Sequence, residues 1–248
     1  MGYFRAFIKD SLRFDWRTGL ALILIFGIPR FITVLHASKT GDYRFTSIIF
    51  VAMWILPFLL LTKLGRKEIG LKKPTGFIPL LWAFLVGGLV CLGVWLIGTW
   101  LYADTVQNWM VYISQSYQVP SGPSFEALKF QYFMVFATMG MLFSPIGEEF
   151  LYRGLIHRCF SEGLGDNKAS LIDSLAFGVT HLAHFGILFI DGKWMFSWVP
   201  AFLWVLFMFS ASRVFFMMKR KSYSLWGAVI CHAGFNLAMT YFIFYYVF

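Results

Sequence analysis

Apolar runs of about 20 residues, the length a helix needs to cross a bilayer, recur along most of the chain and are parted by short polar breaks. They fall near Thr18 to His36, Phe45 to Lys63, Phe77 to Tyr102, Phe130 to Leu151, Ala169 to Ile190, Trp194 to Met218 and Tyr223 to Val247. The pattern predicts an all-α polytopic membrane bundle of about seven spans, within a range of six to eight. Pro29 and Arg30 interrupt the first run, and only a tight basic turn separates the last two. Ahead of the first run, Met1 to Arg17 mixes Arg5, Lys9, Asp10, Arg13, Asp15 and Arg17 with Phe, Ile, Leu and Trp. That mixture predicts a short amphipathic helix on the membrane surface and no cleavable leader. The longest polar break, Ala103 to Lys129, carries the breaker cluster VPSGPS at 119–124 and predicts a partly helical external loop. It divides the chain into residues 1–132, with three spans, and residues 133–248, with four.

Composition agrees with the pattern. Of the 248 residues 59% are hydrophobic and only 13% charged, against about 25% charged in soluble domains. A soluble all-helical enzyme fits poorly. The net charge of +9 is spread as short Lys/Arg clusters between apolar runs, which suits a membrane surface and gives no nucleic-acid interface. Cys91, Cys159 and Cys231 are widely spaced and sit in or beside apolar segments, so they read as small buried residues.

The basic residues also orient the bundle. With the amino terminus in the cytoplasm, sixteen Lys and Arg fall on inside segments, among them Arg13, Lys67, Lys72, Arg158 and Lys219. Only Lys39, Arg44, Lys129 and Lys193 fall outside. The expected location is a plasma (inner) membrane, with the amino terminus cytoplasmic and the carboxyl terminus extracytoplasmic.

Against this apolar background the stretch SPIGEEFLYRG, residues 144–154, places Glu148 and Glu149 side by side. Ionisable groups at membrane depth are costly, and by default they face a cavity and act there. Glu148, His181, His232 and Asn236 lie at overlapping depth, between the cytoplasmic interface and the midplane, when residues are counted at about 1.5 Å each. Glu149 and Arg153 are four apart, so one helical face joins carboxylate to guanidinium, while Glu148 points about 100° away. The expected division is a supporting Glu149–Arg153 pair and a reactive Glu148. His232 and Asn236 are also four apart. Such a set suits water attack on a carbonyl: a carboxylate as general base, an imidazole to relay the proton, and His or Asn donors for the oxyanion. No Ser or Cys here has the setting of an activated nucleophile. Taken singly, each polar residue is as easily structural: His184 reads as hydrogen-bonded packing, Phe177 as core, and His157 and His36 as interfacial. Glycines 147, 154, 178 and 234 beside these groups allow close helix approach.

EEFLYR at 148–153, FGVTH at 177–181 and HAGFN at 232–236 fit Glu-Glu-x-x-x-Arg, Phe-x-x-x-His and His-x-x-x-Asn. In that order, on successive apolar segments, they resemble the CAAX protease and bacteriocin-processing (CPBP, Abi) family of intramembrane proteases. The resemblance covers about Phe133 to Met239. It implies an all-helical membrane fold with a site opening toward the cytoplasm, in which Glu148 and His181 activate water and His232 and Asn236 stabilise the oxyanion. Glu149 and Arg153 would support them. It further implies a glutamate-type enzyme without a metal. Zinc held by Glu148, His181 and His232 is the alternative, since the family was long described as metalloproteases and a His and Glu set can bind zinc; the lack of an HExxH pair weighs against it.

The expected function is therefore an intramembrane endopeptidase acting on a membrane-associated protein or peptide near the cytoplasmic face. Processing of prenylated CAAX tails is one form of it. The alternatives are a membrane scaffold or bacteriocin-immunity protein without activity, and a proton-coupled transporter. Transport is disfavoured because the polar residues concentrate in the last four spans.

Overall fold

The computed structural model describes residues 2–120 and 122–248; Ser121, within the breaker cluster, and Met1 lie outside them. The helices are α1 (Trp16–Thr40), α2 (Arg44–Leu60), α3 (Lys63–Glu68), α4 (Phe77–Tyr102), α5 (Trp109–Ser114), α6 (Pro123–Glu149), α7 (His157–Thr180), α8 (Trp198–Ser222) and α9 (Leu225–Tyr246). A seven-residue π-helical turn, Phe150–Ile156, joins α6 to α7. The fold is the all-α membrane bundle that the apolar runs predict. Among the described residues five helical stretches, Trp16–Thr40, Phe77–Tyr102, Pro123–Ala183, Trp198–Ser222 and Leu225–Tyr246, are long and apolar enough to cross a membrane. At 17 residues α2 stands at the short limit for a span.

Two local expectations are corrected. Residues 2–15 form turns and no amphipathic helix. Their backbone is recruited by a neighbour: Phe4 bridges Leu61, Arg5 N–H donates to Leu60 O at 2.9 Å, and Thr62 N–H donates to Tyr3 O at 2.9 Å. Phe4 and Phe14 turn inward and are buried. Asp15 then caps α1 by accepting from Thr18 N at 2.9 Å.

The second correction concerns the fifth run. It stops at Thr180, followed by a 3-10 turn at His181–Ala183 and a β-hairpin, β1 (Ile187–Ile190) paired antiparallel with β2 (Lys193–Phe196). Ile190 stands opposite Lys193. The two residues between them, Asp191 and Gly192, have φ of 48° and 76°, the left-handed pair of a tight hairpin turn, for which Asp-Gly is a preferred sequence. The Ala103–Lys129 break is partly helical, as expected: it holds α5 and the first turns of α6, which begins at Pro123.

Within α7 the chain reverses at Gly165, whose φ of 75° and ψ of 162° break the helix. The two arms run antiparallel: Tyr152 OH meets Thr180 Oγ1 at 3.1 Å, and His157 Nδ1 meets Asp173 Oδ2 at 2.8 Å. This hairpin returns the second motif-bearing stretch, Phe177 to His181, to the level of the first. The extensive α4–α9 contact depends on missing side chains. A Cβ on Gly234 would stand 2.1 Å from Phe84 O, and one on Gly87 1.8 Å from Cys231 O. That backbone proximity seats α9, and with it His232, deep in the bundle.

Candidate functional site

Glu148 and Glu149 end α6, where the π-turn begins, and both are buried, 1% and 0% exposed. A π-turn inserts an extra residue and is a frequent feature of functional sites. Here it sets the carboxylates against different partners. Glu149 Oε2 lies 3.1 Å from Arg153 Nε, both side chains fully buried, and its Oε1 lies 2.9 Å from His232 Nδ1. The Glu149–Arg153 pairing expected from the four-residue spacing is therefore present. Arg153 lies over the ring of Phe177 at 4.3 Å, and Lys219 Nζ donates to the Arg153 carbonyl at 2.5 Å.

Glu148 is not left free. Its Oε1 is ion-paired with Arg30 Nη2, from α1. The same guanidinium nitrogen lies 3.5 Å from His181 Nε2 and 3.4 Å from His184 Nε2. Arg30 is 1% exposed. Sequence reasoning treated it as an interruption of the first span, yet it is a site residue. The signal was the cost of an arginine in an apolar run, which demands a buried counter-charge. His184, read as packing, also faces this guanidinium.

The remaining motif residues converge, each with a defined orientation. His181 Nδ1 donates to Phe177 O at 2.7 Å, which leaves Nε2 as the acceptor turned toward Arg30. Trp204 Nε1 donates to the His181 carbonyl at 3.0 Å and fixes the backbone. His232 stacks on Phe215, with ring centroids 4.7 Å apart and planes 14° apart, and its Nε2 lies 3.6 Å from Glu148 Oε2. One imidazole thus stands between the two carboxylates. Asn236, one turn beyond, donates to Gly140 O at 2.9 Å and to Ser144 Oγ at 3.1 Å. It lines the cavity but is hydrogen-bonded to α6. Glu148 and His181 meet through Arg30 rather than directly.

These groups border a cavity of about 230 Å³. Glu148, His181, His184, His232 and Asn236 line it, and it extends past Ser144 and Thr240 to Tyr43 and Ser116, near the α1–α2 turn. Phe177, Met208, Phe215 and Phe235 supply apolar wall, so the polar groups act in a partly dry space. The arrangement does not suit a divalent cation. Glu148 and His181 share the cationic Arg30 Nη2, and His232 directs Nδ1 to Glu149. Among the described residues no group of three or more His, Cys, Asp or Glu is gathered as metal ligands. The cysteines are buried and free, Cys91, Cys159 and Cys231 alike.

His157, read as interfacial, is 4% exposed and bonded to Asp173, with Asp166 at 3.3 Å from its Nε2. It braces the α7 hairpin and stands apart from the cavity.

Residues 130–238 match the family model described as Type II CAAX prenyl endopeptidase Rce1-like. All three motifs fall inside that segment, and Arg30 falls outside it. No curated protein and no solved structure matches the chain.

Proposed function

Since residues 130–238 form an Rce1-like domain of the CAAX protease family, a family of intramembrane proteases, we propose that this chain hydrolyses a peptide bond of a membrane-associated protein or peptide by direct water attack. The observation that carries the reading is the convergence of Glu148, His181 and His232 on one buried cavity. Glu148 accepts a proton from water as the water oxygen bonds to the carbonyl carbon. His181, whose Nε2 is the accepting nitrogen, lies within reach of the same proton. The proton then passes to the leaving amine as the C–N bond breaks, so hydrolysis balances without a further reactant.

The developing oxyanion is held by His232, through Nε2–H when both ring nitrogens carry protons, and by the Asn236 amide. Asn236 takes this role by turning from Gly140 and Ser144. Glu149 and Arg153 hold His232 in place. This is a glutamate-type mechanism, and no step in it passes through a metal.

The site lies in the half of the bundle nearer the basic rim. His232 is two turns into α9, which starts beside Lys219, Arg220 and Lys221. With that rim cytoplasmic and the amino terminus inside, cleavage occurs near the cytoplasmic face. Prenylated CAAX tails are one substrate of this description. Residues 1–132 shape substrate entry, and the cavity's extension to Tyr43 accommodates chain beyond the scissile bond.

The test is cleavage of a membrane-peptide library by protein reconstituted in lipid. Glu148→Gln and His181→Ala are each expected to lower kcat by at least about a hundredfold. Wild-type rates in either variant would refute the mechanism, and loss of activity with a strong chelator would refute the metal-free form.

A further inference from the structure

A second concavity, separate from the catalytic cavity, opens where the helices end. It has a volume of about 810 Å³ and lies between the α3–α4 connection, the start of α7 and the α8–α9 turn. Lys67, Lys72, Lys219, Arg220 and Lys221 line it. Among the described residues none of these five pairs with a carboxylate. The acidic residues of the same cleft pair with other side chains of its wall. Glu68 accepts from Arg158 at 2.9 Å, and Asp166 faces His157. The cleft therefore carries a concentrated net positive charge.

Basic residues at helix ends are expected from membrane insertion alone, which needs only their placement on one side. It does not need five of them around one hollow. Nor does the charge stand in open water. Met217 and Tyr223, which also line the cleft, are 48% and 68% exposed. Cations above an exposed apolar and aromatic shoulder match a ligand with an anionic head and an acyl tail. An isolated phosphate would have no use for the shoulder.

We infer that this cleft binds the phosphodiester headgroup of an anionic glycerophospholipid, with the acyl chains descending past Met217 and Tyr223. Lys219 gives the site a route to the catalytic centre. Its ammonium donates to the Arg153 carbonyl at 2.5 Å, on the turn that pairs Arg153 with Glu149. A headgroup that shares Lys219 thus bears on that turn. The lipid site itself does not depend on the proteolytic reading.

The experiment is native mass spectrometry of the full chain, released from mixed phosphatidylcholine and phosphatidylglycerol, with unfolding temperature as a check on folding. Each Lys or Arg close to the bound headgroup contributes about a factor of five, an effect that fades beyond a Debye length. Arg220→Gln/Lys221→Gln should therefore lower phosphatidylglycerol retention by about thirtyfold. Arg5→Gln/Lys9→Gln removes the same charge from exposed positions outside the cleft and should leave retention within about twofold. Equal losses in the two variants would overturn the inference in favour of diffuse rim charge. No loss in either would overturn it outright. Inorganic phosphate added at the lipid's concentration should not displace the lipid; if it does, the cleft is a free-anion site and the lipid assignment fails.

Discussion

Neutralising Arg30 should damage the protein far more than neutralising Arg30 and Glu148 together. Both side chains of this ion pair are at most 2% exposed, so solvent screening gives little relief to a charge left alone. Removing one partner of a buried pair costs about 3–5 kcal/mol, because the survivor stays desolvated and uncompensated. Arg30→Met leaves the Glu148 carboxylate in that state, and Glu148→Gln leaves the guanidinium so. Independent effects would sum to about 6–10 kcal/mol. In the double variant both groups are neutral, and the residual cost is that of repacking, about 1–3 kcal/mol. The double variant should thus be more stable than either single one, with a coupling of about 3–9 kcal/mol. The assay is reversible unfolding in lipid bicelles for the four proteins of the cycle. Additivity within about 0.5 kcal/mol would mean that the two charges do not stabilise one another, and the description of the site around Arg30 would be wrong. Activity does not enter this test, so it stands apart from the proteolytic mechanism.

Other outcomes follow from particular contacts. Gly234→Val should destabilise the bundle by more than the roughly 1–3 kcal/mol of ordinary overpacking, since its Cβ would meet backbone at 2.1 Å from Phe84 O; unfolding in the same bicelles measures it, and a neutral result would show that α4 and α9 can part. Gly192→Val should cost about 1–2 kcal/mol, because φ of 76° is unfavourable for a branched side chain; loss of hydrogen-exchange protection at Ile187 to Phe196 is the readout. Asp42, between α1 and α2, is held down at about 2 by its hydrogen bonds with Arg44, first through the side chain and then the backbone. A depressed folded-state value means that its contribution is present above the usual carboxylate range and is lost as pH falls toward 2. Asp42→Asn should therefore lower stability at neutral pH and converge with wild type as pH falls toward 2; a variant that matches wild type at pH 7 and differs only in acid would contradict the assignment.

Much of the site was legible because hydrophobic patterning makes a buried charge conspicuous. Glu148, Glu149, His181 and His232 stand out from apolar runs, and the four-residue spacing joins Glu149 to Arg153 through local helix geometry alone. The Asp-Gly turn at 191–192 was legible too. The strands around it were not, because a continuous apolar run gives no periodicity to separate a strand pair from a span.

Arg30 is the contrasting case. One sequence shows that a lone arginine in a span needs a counter-charge, yet the choice of Glu148, 118 positions further on, depends on how α1 packs against α7 and the π-turn. The same holds for the turned-in residues 2–15, whose backbone partner is Leu60 to Thr62. Local propensity favoured a surface helix there, and tertiary hydrogen bonds outweighed it. The sequence by itself determined the membrane bundle, the motif set and the Glu149–Arg153 pair, because burial cost and helical spacing act locally. Only the tertiary structure decided that Glu148 is shared with Arg30 and that His232 stands between two carboxylates, because those contacts join residues no local rule relates.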